Sequence, residues 1–116
     1  MSEAVKSGAE RRKSPRYSID LPVHVTGSFG SFLGRACDIC RDAVWIEGGQ
    51  EVRRDADVAL TFEFPGAEAP LDLGGRVIRV GPGERSPHGI AVLFTGVTPA
   101  AATMIDFFIE TQANDE

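Results

Sequence analysis

From Tyr17 to Thr26 the chain alternates without a break: Tyr17, Ile19, Leu21, Val23 and Val25 fall on one side, Ser18, Asp20, Pro22, His24 and Thr26 on the other. A period of two sets one group on each face of an extended strand, the pattern of a strand half in a core and half in water. A helix, turning every ~3.6 residues, would scatter the same apolar side chains around its circumference. The chain must therefore supply a sheet to complete this strand. Pro22 has no N–H to give to a ladder, so a free edge is expected there.

The following segments supply that sheet. "GSFG", Gly27 to Gly30, reads as a turn into a second strand over about Phe32 to Cys40, and "AVWIE", Ala43 to Glu47, is a short third strand closed by "EGGQ". Val58, Leu60, Phe62 and Phe64 alternate from Asp57 until Pro65 and Gly66 end the fourth. A fifth runs from Leu71 to Val80. Its pattern slips at Gly74 and Gly75, which predicts a β-bulge or sharp bend at that pair. "GPGERSP" is a loop, and Ile90, Val92 and Phe94 mark the sixth strand. The last element changes period: Thr98 caps, Pro99 takes the first helical position, and Ala101, Met104, Ile105 and Phe108 recur at helical spacing. Phe107 and Ile109 widen that stripe, which fits either contact of part of the helix with a partner or, as the preferred expectation, a Phe107 that packs deeper than a helical wheel suggests.

Six evenly spaced strands and one helix imply a mainly β fold, a small antiparallel barrel or sandwich whose open side the helix covers. With 116 residues, one domain is expected, over residues 10–112, with a flexible tail at 1–9 and a short one at 113–116.

Charge separates the arm from the rest. Residues 1–16 carry Lys6, Arg11, Arg12, Lys13 and Arg16 against Glu3 and Glu10, a net of +3, within a chain whose formal charge is −5. The remaining hundred residues therefore hold −8. A DNA or RNA binder spreads cations over a face, because affinity grows with the number of phosphates neutralised. A short basic arm on an acidic body suits a small anion better. The longest apolar run is "IAVLF", Ile90 to Phe94, so neither a membrane span nor a signal-peptide core is expected, and the reading is a soluble cytoplasmic protein without membrane insertion.

Three constellations bear on chemistry. "CDIC", Cys37 to Cys40, has the C-x-x-C spacing of zinc and redox sites, but residues three apart in an extended strand point to opposite faces. Neither His24 nor His88 stands at a ligand spacing from it, so neither a metal nor a cofactor is expected. No nucleophile elbow, phosphate loop or metalloprotease spacing appears, and Asp55 and Asp57 read as solvated turn residues, so no enzyme is expected. The third is "RRKSPR", Arg11 to Arg16: planar guanidiniums at Arg12 and Arg16, with Arg11 beside them, suit paired acceptors on guanine or phosphate and also stack on bases. A solvated basic tail is the bland reading of the same run.

With "RKSPR" as an R-x-x-x-R arm, "DICRDA", Asp38 to Ala43, in the place of a D/N-x-S-x-x-G motif, and "DLPVHV", "GRVIRV" and "HGIAVLF" between arm and helix, the sequence resembles the PilZ domain family over Glu10 to about Ile109. That resemblance implies a six-stranded split barrel with a C-terminal helix, cyclic di-GMP as ligand, and no reaction performed. It implies that Arg11, Arg12 and Arg16 hold guanine edges and phosphates, that Asp38 accepts from a guanine N1 or N2 donor, and that Cys40 and Ala43 complete the ligand-binding motif. Cys40 stands where the family has Ser and Ala43 where it has Gly. The thiol costs about 1 kcal/mol as a hydrogen-bonding partner, and Ala43 about 1–2 kcal/mol wherever the glycine serves a positive φ or a close approach of the backbone to the ligand. Asp42 replaces a second Gly, with Arg41 beside it.

Two functions of different class follow. In one, cyclic di-GMP bridges arm and barrel, and the altered surface signals to a separate protein effector governing motility, polysaccharide output or virulence. In the other, a degenerate PilZ-like adaptor has lost the nucleotide and works by protein contact alone, through the barrel edge or the helix. As monomer or homodimer, the domain is expected to act through a separate partner.

Overall fold

Alternation becomes six strands, each placing its apolar set inward. The structure, a computed structural model, describes residues 17–111 and the backbone of residues 114 and 115. In chain order these form β1 (Tyr17–Gly27), β2 (Gly30–Ile39), β3 (Ala43–Glu47), β4 (Asp57–Phe62), β5 (Leu71–Gly81), β6 (Gly89–Thr95), α1 (Pro99–Thr111) and a two-residue β7 (Asn114–Asp115). Neighbours run β2-β3-β6-β5-β4-β1, and β1 pairs again with β2, which closes a six-stranded antiparallel barrel. Val23, Val25, Leu60, Phe62, Val77 and Val92, all fully buried, fill it.

Pro22 falls in a gap of the ladder. On its outer side β1 meets β7 at Tyr17 and Ser18 and β4 from Val23 onward, so residues 19–22 have no strand partner there among the described residues.

The irregularity in β5 lies elsewhere than the glycine pair suggests. Gly74 and Gly75 continue both ladders without interruption, opposite Ala59 and Val58 on one side and Thr95 and Phe94 on the other. The bulge comes between Val77 and Arg79. What Gly75 provides is close approach: a Cβ there would overlap the Val92 side chain and lie 3.2 Å from the Leu93 carbonyl oxygen.

Helix α1 closes the open side. The Ala101 amide donates to Thr98 Oγ1 at 3.1 Å, satisfying one of the first-turn N–H groups that have no helical partner. Ala101, Ile105, Phe108 and Ile109 are buried. Phe108 stacks on Phe64 at 4.5 Å, Phe64 on Phe62 at 5.5 Å, and Phe62 meets Phe94 edge-on at 6.4 Å, so one aromatic chain ties helix to barrel. Phe107 does not share in this. It is 66% exposed, because a residue adjacent to Phe108 lies about 100° around the helix and its neighbour already faces the core. Thr98→Ala is expected to cost about 1 kcal/mol of stability, read as a lowered urea midpoint with an unchanged slope.

Candidate functional site

One row of side chains crosses four strands on the barrel's exterior. Asp38 of β2 lies opposite Trp45 of β3, Trp45 opposite Ala91 of β6, and Ala91 opposite Arg79 of β5. Ser18 of β1 extends it, opposite Asp38. Register shifts between Ala36 and Asp38 and between Val77 and Arg79 flank the row. Bulges of this kind re-aim the side chains that follow them and increase local twist.

Two depressions meet along that row. A shallow one of about 90 Å³ is lined by Asp38, Cys40, Ala43, Trp45, Arg79 and Ala91 among others. A larger cleft of about 650 Å³ opens on the other side of Asp38 and Trp45, toward Ser18, Cys37, Glu47 and Arg85.

Asp38, Cys40 and Ala43, the second motif, are thus brought together on one opening. Arg11, Arg12 and Arg16 lie outside the described residues. Their place in the sequence is nonetheless informative, because Tyr17, next after Arg16, pairs with Ile39, and Ser18 with Asp38. The motif is a tight turn in which the Cys40 amide donates to the Ala43 carbonyl at 2.9 Å. Asp55 is the one non-glycine residue with positive φ among the described residues. Ala43 therefore occupies the glycine position with ordinary backbone, and the strain anticipated for it does not arise. The turn is anchored twice: the Phe94 amide donates to the Asp42 carbonyl at 2.8 Å, and Arg41 Nε pairs with Asp106 Oδ1 of α1 at 2.8 Å. Arg41 thus reaches the helix.

Glu47 organises the far wall, and no motif marks it. Only 6% exposed, it is the buried charged residue among those described. Its carboxylate accepts Trp45 Nε1–H at 2.8 Å, the Arg85 amide at 2.9 Å and the Glu84 amide at 3.2 Å. Burial alone pushes this carboxyl up, but the donors from Trp45, Arg85 and Glu84, with the Arg85 charge, outweigh it and hold the group below its ordinary value. The loop between β5 and β6 reaches Glu47 because residue 83 is glycine, where a Cβ would overlap the carboxylate. The signal available in the sequence was parity: Glu47 and Trp45 are two apart, hence on the same face of β3.

Cys37 and Cys40 are both free and line different depressions. Burial pushes the Cys37 thiol up, and the nearby Glu47 carboxylate adds to that. Since the thiolate is the reactive and ligating form, Cys37 is a poor nucleophile at neutral pH. Among the described residues no group of three or more His, Cys, Asp or Glu stands where it could hold a metal, and no helix is long and apolar enough to cross a membrane.

Fold and site define a closed β-barrel with a helical lid whose exterior carries an acidic turn motif beside the point where a basic arm joins the first strand. The profile of the PilZ domain matches residues 10–110, and the chain belongs to that family. Comparison with curated proteins gave no match. Among solved structures, the chain is similar to the inhibitor of motility MotI/DgrA of Bacillus subtilis (TM-score 0.70, 14% identity, 88% of this chain and 51% of that one). It thus spans about half of that protein. It is also similar to the PilZ domain of YcgR from Escherichia coli, solved with c-di-GMP (TM-score 0.69, 12% identity, 87% and 90%). A third is the PilZ domain of CeSA from a cellulose-synthesizing bacterium (TM-score 0.62, 17% identity, 82% and 94%).

Proposed function

We propose that this chain is a cyclic di-GMP receptor that carries out no reaction and signals to a separate protein effector, with motility, polysaccharide or virulence output. The observation that carries the reading is the pairing of Tyr17 with Ile39 and of Ser18 with Asp38. Through it the sequence R-x-x-x-R, ending at Arg16, joins the barrel beside the acidic motif. Arg12 and Arg16 supply planar cations for phosphate and guanine, Asp38 accepts from the guanine N1 and N2 donors, and Arg11 adds charge. Cys40 and Ala43 line the floor. The E. coli domain of like fold, solved with c-di-GMP, supports the same ligand class.

A micromolar complex is held by about 8 kcal/mol. With Ala43 unstrained, the thiol at position 40 is the main penalty, about 1 kcal/mol, so a dissociation constant of order 10 μM is expected. Isothermal titration of cyclic di-GMP into the full chain checks this. Arg12→Ala with Arg16→Ala abolishes the heat, and Cys40→Ser tightens binding about fivefold. Silence at hundreds of micromolar overturns the receptor and leaves the adaptor, for which the exposed Phe107 of α1 is the supporting observation.

A further inference from the structure

Most strand arginines of the barrel exterior are spoken for. Arg35 pairs with Asp20 and Arg76 with Asp57. Arg79 is different: among the described residues no carboxylate pairs with it, and its guanidinium carbon lies 5.3 Å from the centre of the Trp45 ring. One strand, β6, separates β3 from β5, so their backbones stand two strand spacings apart, roughly 10 Å. The side chain crosses that gap because the residue between them, Ala91, is small, and because the bulge at Ile78 brings Arg79 opposite it.

Trp45 is equally fixed. Its indole N–H is held by Glu47 at 2.8 Å, and Glu47 is in turn held by the Glu84 and Arg85 amides. The ring therefore has a set orientation before anything binds. Arg79 itself is exposed, so the guanidinium has a face that the indole does not cover. A flat cation over a fixed indole, beside the Asp38 carboxylate and on the same shallow depression as Cys40 and Ala43, has the elements of a nucleobase seat: a stacking surface and an acceptor at its edge.

We infer that Arg79, stacked on Trp45, is the platform on which a guanine base of the ligand lies, with the Asp38 carboxylate at that base's edge. This rests on the nucleotide reading proposed above and adds Arg79 and Trp45 to the residues that decide affinity. Charge attraction alone would act equally well through lysine; stacking needs the planar guanidinium.

Two probes, cyclic di-GMP and GMP, are titrated into the full chain while Trp45 emission is followed, with calorimetry in parallel. Trp45 is the single tryptophan, so the signal reports this site. In the wild type both probes change the emission. Arg79→Ala weakens cyclic di-GMP about tenfold, and Arg79→Lys, which keeps the charge, weakens it nearly as much. Circular dichroism confirms that both variants are folded. Wild-type affinity within twofold in Arg79→Ala overturns the platform while leaving the receptor intact. An Arg79-dependent response to millimolar GMP without any to cyclic di-GMP upholds the platform and overturns the receptor. Silence of the wild type toward both probes overturns both.

Discussion

Phe62→Ala is expected to destabilise the domain by about 3–5 kcal/mol, the usual cost of removing a fully buried phenylalanine. Phe62 is completely enclosed and stands between Phe64 and Phe94 in the aromatic chain that ends on Phe108 of the helix. The cavity left behind borders the barrel core and the neighbours through which the lid is attached. A domain of this size holds about 5–15 kcal/mol in total, so the variant is expected to retain a small fraction of its stability. Urea denaturation followed by circular dichroism gives the loss. Phe62→Leu, which keeps most of the volume, is expected to lose much less.

Glu47→Gln is expected to lose about 2–3 kcal/mol at neutral pH, since charge-assisted hydrogen bonds from Trp45, Glu84 and Arg85 converge on this carboxylate. Its folded-state pKa lies below the ordinary value of 4.5. The ionised form is therefore favoured by folding: its contribution is complete above about pH 4.5 and disappears as pH falls through the lower folded-state value. The difference in stability between wild type and Glu47→Gln is expected to be constant from pH 7 to 5 and to narrow below pH 4.5. A difference that stays constant down to pH 3 would show that ionisation of Glu47 does not contribute. Trp45 emission should shift in the same variant, because the indole N–H loses its charged acceptor.

The elements of this barrel were legible wherever burial imposes a strict period. In β1, β4 and β6 every second residue is apolar from end to end, and strands appear where alternation places them. The helix was equally plain, since Thr98, Pro99 and the Ala101, Ile105, Phe108 spacing agree with one another. Alternation failed at β5. Gly74 and Gly75 resemble a bulge signal, yet they serve close packing against β6, while the actual bulge is carried by Val77, Ile78, Arg79 and Val80, a run in which the period quietly breaks. Phe107 departs from expectation for a related reason: hydrophobicity does not measure depth, and helical geometry commits its neighbour Phe108 to the core.

Of the candidate site, Asp38, Cys40 and Ala43 could be grouped from the sequence because one contiguous motif carries them, and the structure puts them on one depression. Glu47 and Arg79 could not, because their significance is created by cross-strand register. Nothing within three or four residues of Arg79 indicates that Trp45 will lie beneath it; that depends on Ala91 of a strand in between. The glycine at residue 83 likewise makes sense only once the carboxylate it touches, thirty-six residues earlier in the chain, is known.

Closure of the sheet has a consequence for how such a domain meets other molecules. Among the described residues each of the six strands pairs on both sides over part of its length, and the stretches left with one neighbour are short, the longest being 19–22 of β1, 30–34 of β2 and 77–81 of β5, so the backbone offers no long open ladder for a visiting strand to extend. Recognition falls chiefly to side chains. The outward residues of the row from Ser18 to Arg79 are accordingly free to be exchanged, one by one, without creating an adhesive edge, and a barrel of this kind changes its ligands and partners by surface substitution while its hydrogen-bonded frame stays the same.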